Sequence, residues 1–173
     1  MAHALIAYYS RAGENYCSGQ LRILKEGNTA LAAAQLQAMN GADLFRIEQV
    51  VPYSDGYNEC IEQARTHQQH NARPVLVAFP TGAEQYDTLY LGYPNYWGTM
   101  PMAVFTFLEQ FPTAGKVILP FCTHEGSGLG SSVADIRRLC PGADVRPGLA
   151  LRGSRIAEAR PAFQNWLKEE NAR

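Results

Sequence analysis

The stretch from Ala4 to Gly13 is Ala-Leu-Ile-Ala-Tyr-Tyr-Ser-Arg-Ala-Gly. Its first six residues, as far as Tyr9, are apolar or aromatic, and a polar turn follows directly. Short apolar runs bounded by turn residues are typical of strands that are buried on both faces, as in parallel sheets. We therefore predict a first strand from Ala4 to Tyr9 and a loop that starts at Ser10.

A helix follows this strand, and the same succession then repeats. Gly27-Asn28-Thr29 precedes a run of strong helix formers from Ala30 to Met39. We predict Thr29 as the N-cap of this helix and Asn40-Gly41 as its stop. The further predicted strands span 43–51, 87–94, 116–121 and 145–151, and the further predicted helices span 57–70, 100–111, 131–140 and 156–170. Strands that alternate with helices imply right-handed crossovers and a parallel sheet covered on both faces, so the pattern predicts a doubly wound α/β fold with five strands.

Composition favours one globular domain and excludes several classes of protein. A chain of 173 residues with 46% hydrophobic and 18% charged side chains is typical of a single core, so we predict one domain over residues 1–173. The net charge of -1 leaves no basic stripe for nucleic acid. No segment is long and apolar enough to span a membrane, and the N-terminus lacks the basic leader of a signal peptide. We therefore predict a cytoplasmic protein. The four cysteines are widely separated, so we expect buried free thiols and no metal site.

Three of the predicted loops carry glycine and polar residues. They follow the first, third and fourth strands, and they contain Ser10-Arg11-Ala12, Tyr93-Pro94-Asn95-Tyr96-Trp97-Gly98 and Thr123-His124-Glu125-Gly126-Ser127-Gly128. In a doubly wound sheet, ligands bind beyond the carboxyl ends of the strands, where the strand order reverses. The three loops are therefore predicted to form one site.

These segments, in this order, resemble the cofactor loops of flavodoxins. The resemblance is strongest to the subgroup with an insertion between the first strand and the first helix, and it covers nearly the whole chain. It implies a flavodoxin-like sheet with strand order 2-1-3-4-5 and bound flavin mononucleotide (FMN).

The phosphate loop of flavodoxins opens directly into the first helix, and two arrangements of it compete here. Ser10 to Tyr16 follows the strand without interruption, but residues 17–26 do not begin a helix. We favour a split motif, in which Ser10-Arg11-Ala12 meets Gly27-Asn28-Thr29 across an insertion from about 13 to 26. A helix N-terminus presents unpaired N–H groups and the positive end of the macrodipole, so it can hold a phosphate.

Within the split motif, Ser10, Asn28 and Thr29 are predicted to surround the phosphate with polar groups. Ala12 stands where the family has a hydroxyl, so one contact is missing. Arg11 either adds positive charge or is an ordinary exposed arginine, and the sequence does not choose.

The role of the insertion is equally open. The insertion and the connection from Val51 to Tyr57, which contains Pro52 and Tyr53, would either cap the cofactor or form a contact between two copies of the chain.

The second and third loops are predicted to hold the flavin ring. The resemblance implies that Tyr96 or Trp97 stacks on the ring, and that the Gly98 peptide turns its C=O or its N–H toward the flavin N5. The third loop would surround the pyrimidine edge with small residues and hydroxyls. The further predicted binding residues of these two loops are Pro94, Asn95, Thr123, His124, Gly126, Ser127 and Gly128. Since the third loop has no aromatic side chain, we predict that the outer face of the ring is open to a nicotinamide or a quinone.

His124 is the candidate catalytic residue. Histidine titrates near neutral pH, and a side chain beside the flavin would be placed to donate a proton. The alternative is a histidine that only hydrogen-bonds the loop or the ribityl chain.

Three functions fit these features. The first is an FMN-dependent oxidoreductase that takes electrons or hydride from a donor such as NAD(P)H and passes them to a small acceptor such as a quinone. The second is a carrier of electrons between protein partners, and the third is a binding module with a lapsed flavin site. Electron-carrier flavodoxins are strongly acidic around the flavin, whereas this chain has a net charge of -1, so the sequence favours the oxidoreductase.

Overall fold

The fold is given by a computed structural model that describes residues 3–173. These residues contain eight strands: β1 (Ala4–Tyr8), β2 (Gly13–Cys17), β3 (Gln20–Leu24), β4 (Asp43–Arg46), β5 (Thr88–Pro94), β6 (Val117–His124), β7 (Asp144–Val145) and β8 (Leu149–Arg152). The main sheet is parallel with the order β4-β1-β5-β6-β7, and β8 pairs with β6 beyond β7. Since β7 and β8 are two pieces of the fifth strand, the predicted order 2-1-3-4-5 is confirmed.

Helices cover both faces of this sheet. They are α1 (Asn28–Asn40), α2 (Tyr57–Gln69), α3 (Met102–Gln110), α4 (Ser132–Leu139) and α5 (Arg160–Asn171), with short 3-10 segments at Ala83–Gln85 and Gly153–Glu158. Successive residues of a strand point to opposite faces. In β1, Ile6 therefore belongs to the core with Leu36 and Phe163, which α1 and α5 supply. Leu5 belongs to the core on the other face, with Phe107 of α3.

The start of α1 differs from the prediction. The N-cap is Gly27, with φ -68° and ψ 152°, so the prediction of Thr29 as N-cap is wrong. The end of the first strand supplies the missing cap, because the Ala30 N–H donates to Ser10 Oγ at 3.0 Å. At the other end, Gly41 closes the helix in the left-handed conformation, as predicted.

Two predicted strands are shorter or interrupted. The second strand ends at Arg46 and not at Val51, and beyond it Gln49 forms an isolated antiparallel bridge with Leu76. The fifth strand is split between β7 and β8, around Pro147. Proline has no N–H to donate to a sheet, which accounts for the break.

The insertion after β1 is a β-hairpin. β2 and β3 pair in antiparallel fashion, from Gly13 opposite Leu24 to Cys17 opposite Gln20. Ser18 and Gly19 join them with φ of 52° and 86°. Two positive φ values at the centre of a two-residue loop are what a type I′ turn requires.

All four cysteines are buried and free. Burial raises the pKa of the Cys122 thiol to about 12, so this thiol stays protonated near neutral pH and is a poor nucleophile.

Among the helices within residues 3–173, none has the length and apolar character needed to cross a membrane.

Candidate functional site

The carboxyl ends of β1, β5 and β6 surround a cavity of about 330 Å³, which we call the first cavity. All three predicted loops contribute to its wall. The predicted residues that line it are Ser10, Arg11, Asn28, Thr29, Pro94, Asn95, Tyr96, Thr123, His124 and Ser127. A second cavity, of about 430 Å³, extends toward α2 and shares six residues with the first: Arg11, Asn15, Tyr57, Asn95, Tyr96 and Ser127.

The two halves of the split loop meet at the N-terminus of α1. A Cβ on Gly27 would lie 2.2 Å from Ser10 Oγ and 2.7 Å from the Arg11 carbonyl oxygen. Only a residue without a side chain allows this approach. The structure therefore places Ser10 and Arg11 beside the first turn of α1, which is the split arrangement and not the contiguous one.

The start of α1 presents hydrogen-bond donors to the first cavity. Within the described part of the chain, the N–H groups of Asn28 and Thr29 have no acceptor. Thr29 Oγ1 lies 2.8 Å from Thr123 Oγ1, and this buried pair joins the first loop to the third. Free N–H groups at a helix N-terminus favour a bound anion.

Arg11 is neither an exposed arginine nor a free phosphate ligand. Its guanidinium donates to the carbonyl oxygens of Glu14, Ser54 and Asp55. These bonds fasten the base of the hairpin to the loop before α2. The charge of Arg11 remains beside the first cavity, but its donors are committed to the backbone.

Ala12 and Glu14 do not line the first cavity. Ala12 lines a separate cavity beside Arg46 and Gln49, so the structure gives no support to a cofactor contact there. The Glu14 carboxylate accepts the Tyr57 N–H at 2.9 Å and so caps the N-terminus of α2. Its negative charge is thus stabilised by a helix N-terminus of its own.

Asn95 ties the second loop to the third. Its Nδ2 donates to the Gly128 carbonyl at 2.8 Å, and its Oδ1 accepts the Gly98 N–H at 2.9 Å. Gly98 has φ 85°, and its carbonyl accepts the Ser131 N–H at 2.8 Å. Both polar groups of Gly98 are therefore occupied. Turning either of them toward a ligand, as the sequence predicted, would first require breaking these bonds.

The two predicted stacking residues lie in different places. Tyr96 lines both cavities, whereas Trp97 and Gly98 line only the second. Trp97 Nε1 donates to the Ile61 carbonyl at 2.8 Å, and the Arg65 guanidinium lies 5.0 Å from the centre of the indole ring system. Trp97 is thus held against α2, and Tyr96 is the aromatic residue that the second loop supplies to the first cavity.

Comparison with known proteins assigns the chain to a family. A family model described as flavodoxin matches residues 22–170. The chain belongs to the flavodoxin family. The matched region begins inside the hairpin, so it includes α1 and the second and third loops but leaves out β1 and Ser10-Arg11-Ala12.

Solved structures of several flavoproteins share the fold. A candidate flavoprotein of Bacteroides eggerthii is 26% identical over 97% of each chain, with a TM-score of 0.79. A Lactobacillus acidophilus flavoprotein in complex with FMN shares the fold at 18% identity and a TM-score of 0.65, over 91% of this chain and 98% of that one. A Fusobacterium nucleatum flavodoxin bound to FMN shares it at 13% identity and a TM-score of 0.55, over 99% and 98% of the two chains. No curated protein matched the chain.

His124 in this flavodoxin has one ring nitrogen occupied. Its Nδ1 accepts the Gly126 N–H at 2.8 Å, which assigns the proton of the neutral ring to Nε2. Burial, with a smaller contribution from Arg152, lowers the pKa of His124 from its ordinary value. Near neutral pH, His124 is therefore a neutral hydrogen-bond donor and not an imidazolium acid.

Gly126 and Gly128 line neither of the two cavities. They contact the site through their backbones, since the Gly126 N–H donates to His124 and the Gly128 carbonyl accepts from Asn95.

We expect His124 to titrate below the ordinary range of histidine. Because the folded protein favours the neutral ring, this residue contributes stability above the unfolded pKa and loses it as pH falls through the lower folded pKa. NMR titration should give the low pKa, and Arg152→Gln should raise it. On acidification, wild-type protein should lose stability that the His124→Gln variant does not lose. An unchanged His124 pKa in Arg152→Gln would contradict the assigned contribution of that cation.

Five residues of the first cavity are not among the predicted binding residues: Asn15, Tyr16, Tyr57, Glu125 and Gly153. The first three lie in the insertion and in the connection that ends at Tyr57, for which capping of the cofactor is one of the two predicted roles. The hairpin supplies the first two, and α2 supplies Tyr57, whose ring is stacked with that of Tyr16 at 6.2 Å between centroids. The cavity is thus bounded by aromatic side chains from outside the third loop. The prediction of an uncovered outer face considered the third loop alone, and it stays a prediction.

Proposed function

We propose that this protein binds FMN in the first cavity and passes electrons or hydride through it to a small acceptor such as a quinone. The phosphate would lie at the N-terminus of α1, and the ring would extend toward Tyr96 and Ser127. The observation that carries this proposal is the convergence of three loops on one cavity with the free N–H groups of Asn28 and Thr29 at its edge. Membership of the flavodoxin family and the FMN complexes of two structural relatives support it.

The chemistry of the cavity fits the two ends of FMN. At one end, the hydroxyl of Ser10, the amide of Asn28 and the dipole of α1 suit a phosphate. The Glu14 carboxylate accepts the Tyr57 N–H at the start of α2 and does not line the cavity, so it does not repel the phosphate there. At the other end, Tyr96 offers a planar surface, and His124 offers an N–H donor for a ring heteroatom.

The second cavity suits the electron acceptor in this proposal. Bound FMN would supply the redox chemistry, and the protein would bind, orient and shield the reactants. Ile61, Ala64 and Trp97 give this cavity an apolar wall that a planar, weakly polar molecule can contact. Tyr57 lines both cavities, so it lies where the cofactor and an acceptor would meet.

Purification and stopped-flow kinetics test the function. The protein should be yellow, release FMN on denaturation, and bind it again when it is added back. The holoprotein should then be reduced by NADH or NADPH and reoxidised by a quinone. Failure to take up FMN would overturn the cofactor proposal, and tight FMN binding without reduction by either nucleotide would favour the electron carrier.

Thr29→Ala is expected to weaken FMN binding about tenfold, because one hydroxyl at the start of α1 and its bond to Thr123 are lost. Glu14→Ala should leave FMN affinity within about threefold while lowering the free energy of unfolding by about 1 kcal/mol, because α2 loses its cap. Fluorescence titration and urea unfolding measure the two effects. A larger loss of affinity in Glu14→Ala than in Thr29→Ala would restore the contiguous phosphate loop from Ser10 to Tyr16.

A further inference from the structure

The Glu125 carboxylate lies in the wall of the first cavity with one oxygen unpaired. Oε2 accepts the Ser18 N–H from the turn of the hairpin at 3.4 Å. Oε1 is buried and has no hydrogen-bond donor within residues 3–173. A buried acceptor without a donor costs free energy, so its presence requires an explanation.

Gly153 makes the position of this carboxylate possible. A Cβ at residue 153 would lie 3.0 Å from Glu125 Oε1 and 2.4 Å from Asn28 Nδ2. Because the residue is glycine, the carboxylate can lie next to the first residue of α1 on the same side of the cavity. An acceptor therefore stands beside the N–H groups that suit an anion.

The Glu125 carboxylate beside the start of α1 distinguishes between ligands. A carboxylate beside an anion site repels every phosphate, that of FMN included. A ligand that also carries hydroxyl donors close to its phosphate offsets this repulsion by donating hydrogen bonds to the carboxylate. In FMN, the ribityl chain supplies such hydroxyls between the phosphate and the ring.

We propose that Glu125 accepts a hydrogen bond from a ribityl hydroxyl of the flavin and so selects a flavin with an intact polyol chain. The inference rests on the proposed function, since it assigns a residue to the same cofactor. Glu125 lines the first cavity, and the terminal torsion of a glutamate side chain is broad, so rotation of the carboxylate can present an oxygen to a ligand there. The ligand hydroxyl would supply the donor that Oε1 lacks.

The experiment compares flavins that differ only in the chain. Lumiflavin has the ring without the ribityl chain, riboflavin adds the chain, and FMN adds the phosphate. Glu125→Ala should weaken riboflavin binding about tenfold and leave lumiflavin binding unchanged, because only riboflavin has the hydroxyl to lose. Glu125→Gln keeps an acceptor oxygen, so its riboflavin affinity should stay within about threefold of wild type.

Glu26→Ala is the matched control. Glu26 is an exposed carboxylate just before the N-cap of α1, so its removal changes the same charge without touching the cavity wall. Its affinities for riboflavin and lumiflavin should equal those of wild type. Circular dichroism melts show whether Glu125→Ala folds. If it does not, Glu125→Met, which has a side chain of similar length without a carboxylate or amide oxygen, replaces it with the same expected loss.

The outcomes separate this inference from the proposed function. Equal losses for riboflavin and lumiflavin in Glu125→Ala, or no loss for either, would overturn the role of Glu125 while FMN binding by wild type still stands. If wild-type protein binds none of the three flavins, the proposed function fails and this inference fails with it. A loss for riboflavin without a loss for lumiflavin supports both.

Discussion

Gly27→Ala is expected to weaken FMN binding at least about tenfold and to lower the free energy of unfolding by about 2–3 kcal/mol. The backbone at Gly27 has φ -68° and ψ 152°, which alanine adopts readily. The loss of stability therefore comes from steric overlap, since the new Cβ would lie 2.2 Å from Ser10 Oγ and 2.7 Å from the Arg11 carbonyl oxygen. Relief of that contact separates the loop after β1 from α1 and opens the phosphate end of the cavity. Urea unfolding and fluorescence titration with FMN measure both effects.

Gly56→Ala is the control for this prediction. Gly56 is the N-cap of α2, with φ -74° and ψ 131°, and the atom nearest to an added Cβ is Ser54 Oγ at 3.5 Å. Both variants therefore replace an N-cap glycine of similar conformation, but only Gly27 has no space for a methyl group. Gly56→Ala should change stability by less than about 1 kcal/mol and leave FMN affinity unaltered. Equal effects in the two variants would show that capping and not contact explains the glycine at position 27.

The fold was predictable because its main signals are local. The apolar runs of β1, β5 and β6 are bounded by turn residues, and each precedes a helix, which is enough to indicate a doubly wound sheet. The ends of the elements were less predictable because distant partners determine them. Gln49 leaves the second strand to pair with Leu76, and Ser10 caps α1 from twenty residues away.

The predictable part of the site is the part that follows from topology. Ten predicted residues line the first cavity because parallel strands bring their carboxyl ends to one edge of the sheet. Ala12, Trp97 and Gly98 lie elsewhere, since loop position alone does not determine the direction of a side chain. Asn15 and Tyr16 lie in the insertion, where Ser18-Gly19 between the flanking residues of β2 and β3 is a turn signal that could have indicated a hairpin. Glu125 lies inside a predicted loop, but an acidic residue is not expected beside a phosphate, so its type gave no indication of a binding role.

The hairpin also shows why the sequence could not predict the hydrogen bonds of Arg11. A sequence gives the charge of an arginine but not the carbonyl groups that surround it. Two of the three carbonyl partners of Arg11 belong to Ser54 and Asp55, which are more than forty positions away. The planar guanidinium donates from three separate nitrogens, whereas all the donors of an ammonium group are on one atom. Its function here is to hold the hairpin, and with it Asn15 and Tyr16, against the cavity.

Arg11→Lys should therefore detach the hairpin while keeping the positive charge. We expect the free energy of unfolding to fall by roughly 2–4 kcal/mol, because a lysine cannot replace the hydrogen bonds to all three carbonyl groups. The β2 and β3 amides should lose protection against hydrogen exchange, and the dissociation of FMN should become about tenfold faster as the hairpin opens. Arg22→Lys is the matched control, since Arg22 lies in the same hairpin and its side chain is exposed and makes no hydrogen bond to the described residues. It should change neither protection nor dissociation. Equal protection of the hairpin amides in the two variants would show that Tyr16 and Tyr57, and not Arg11, hold it closed.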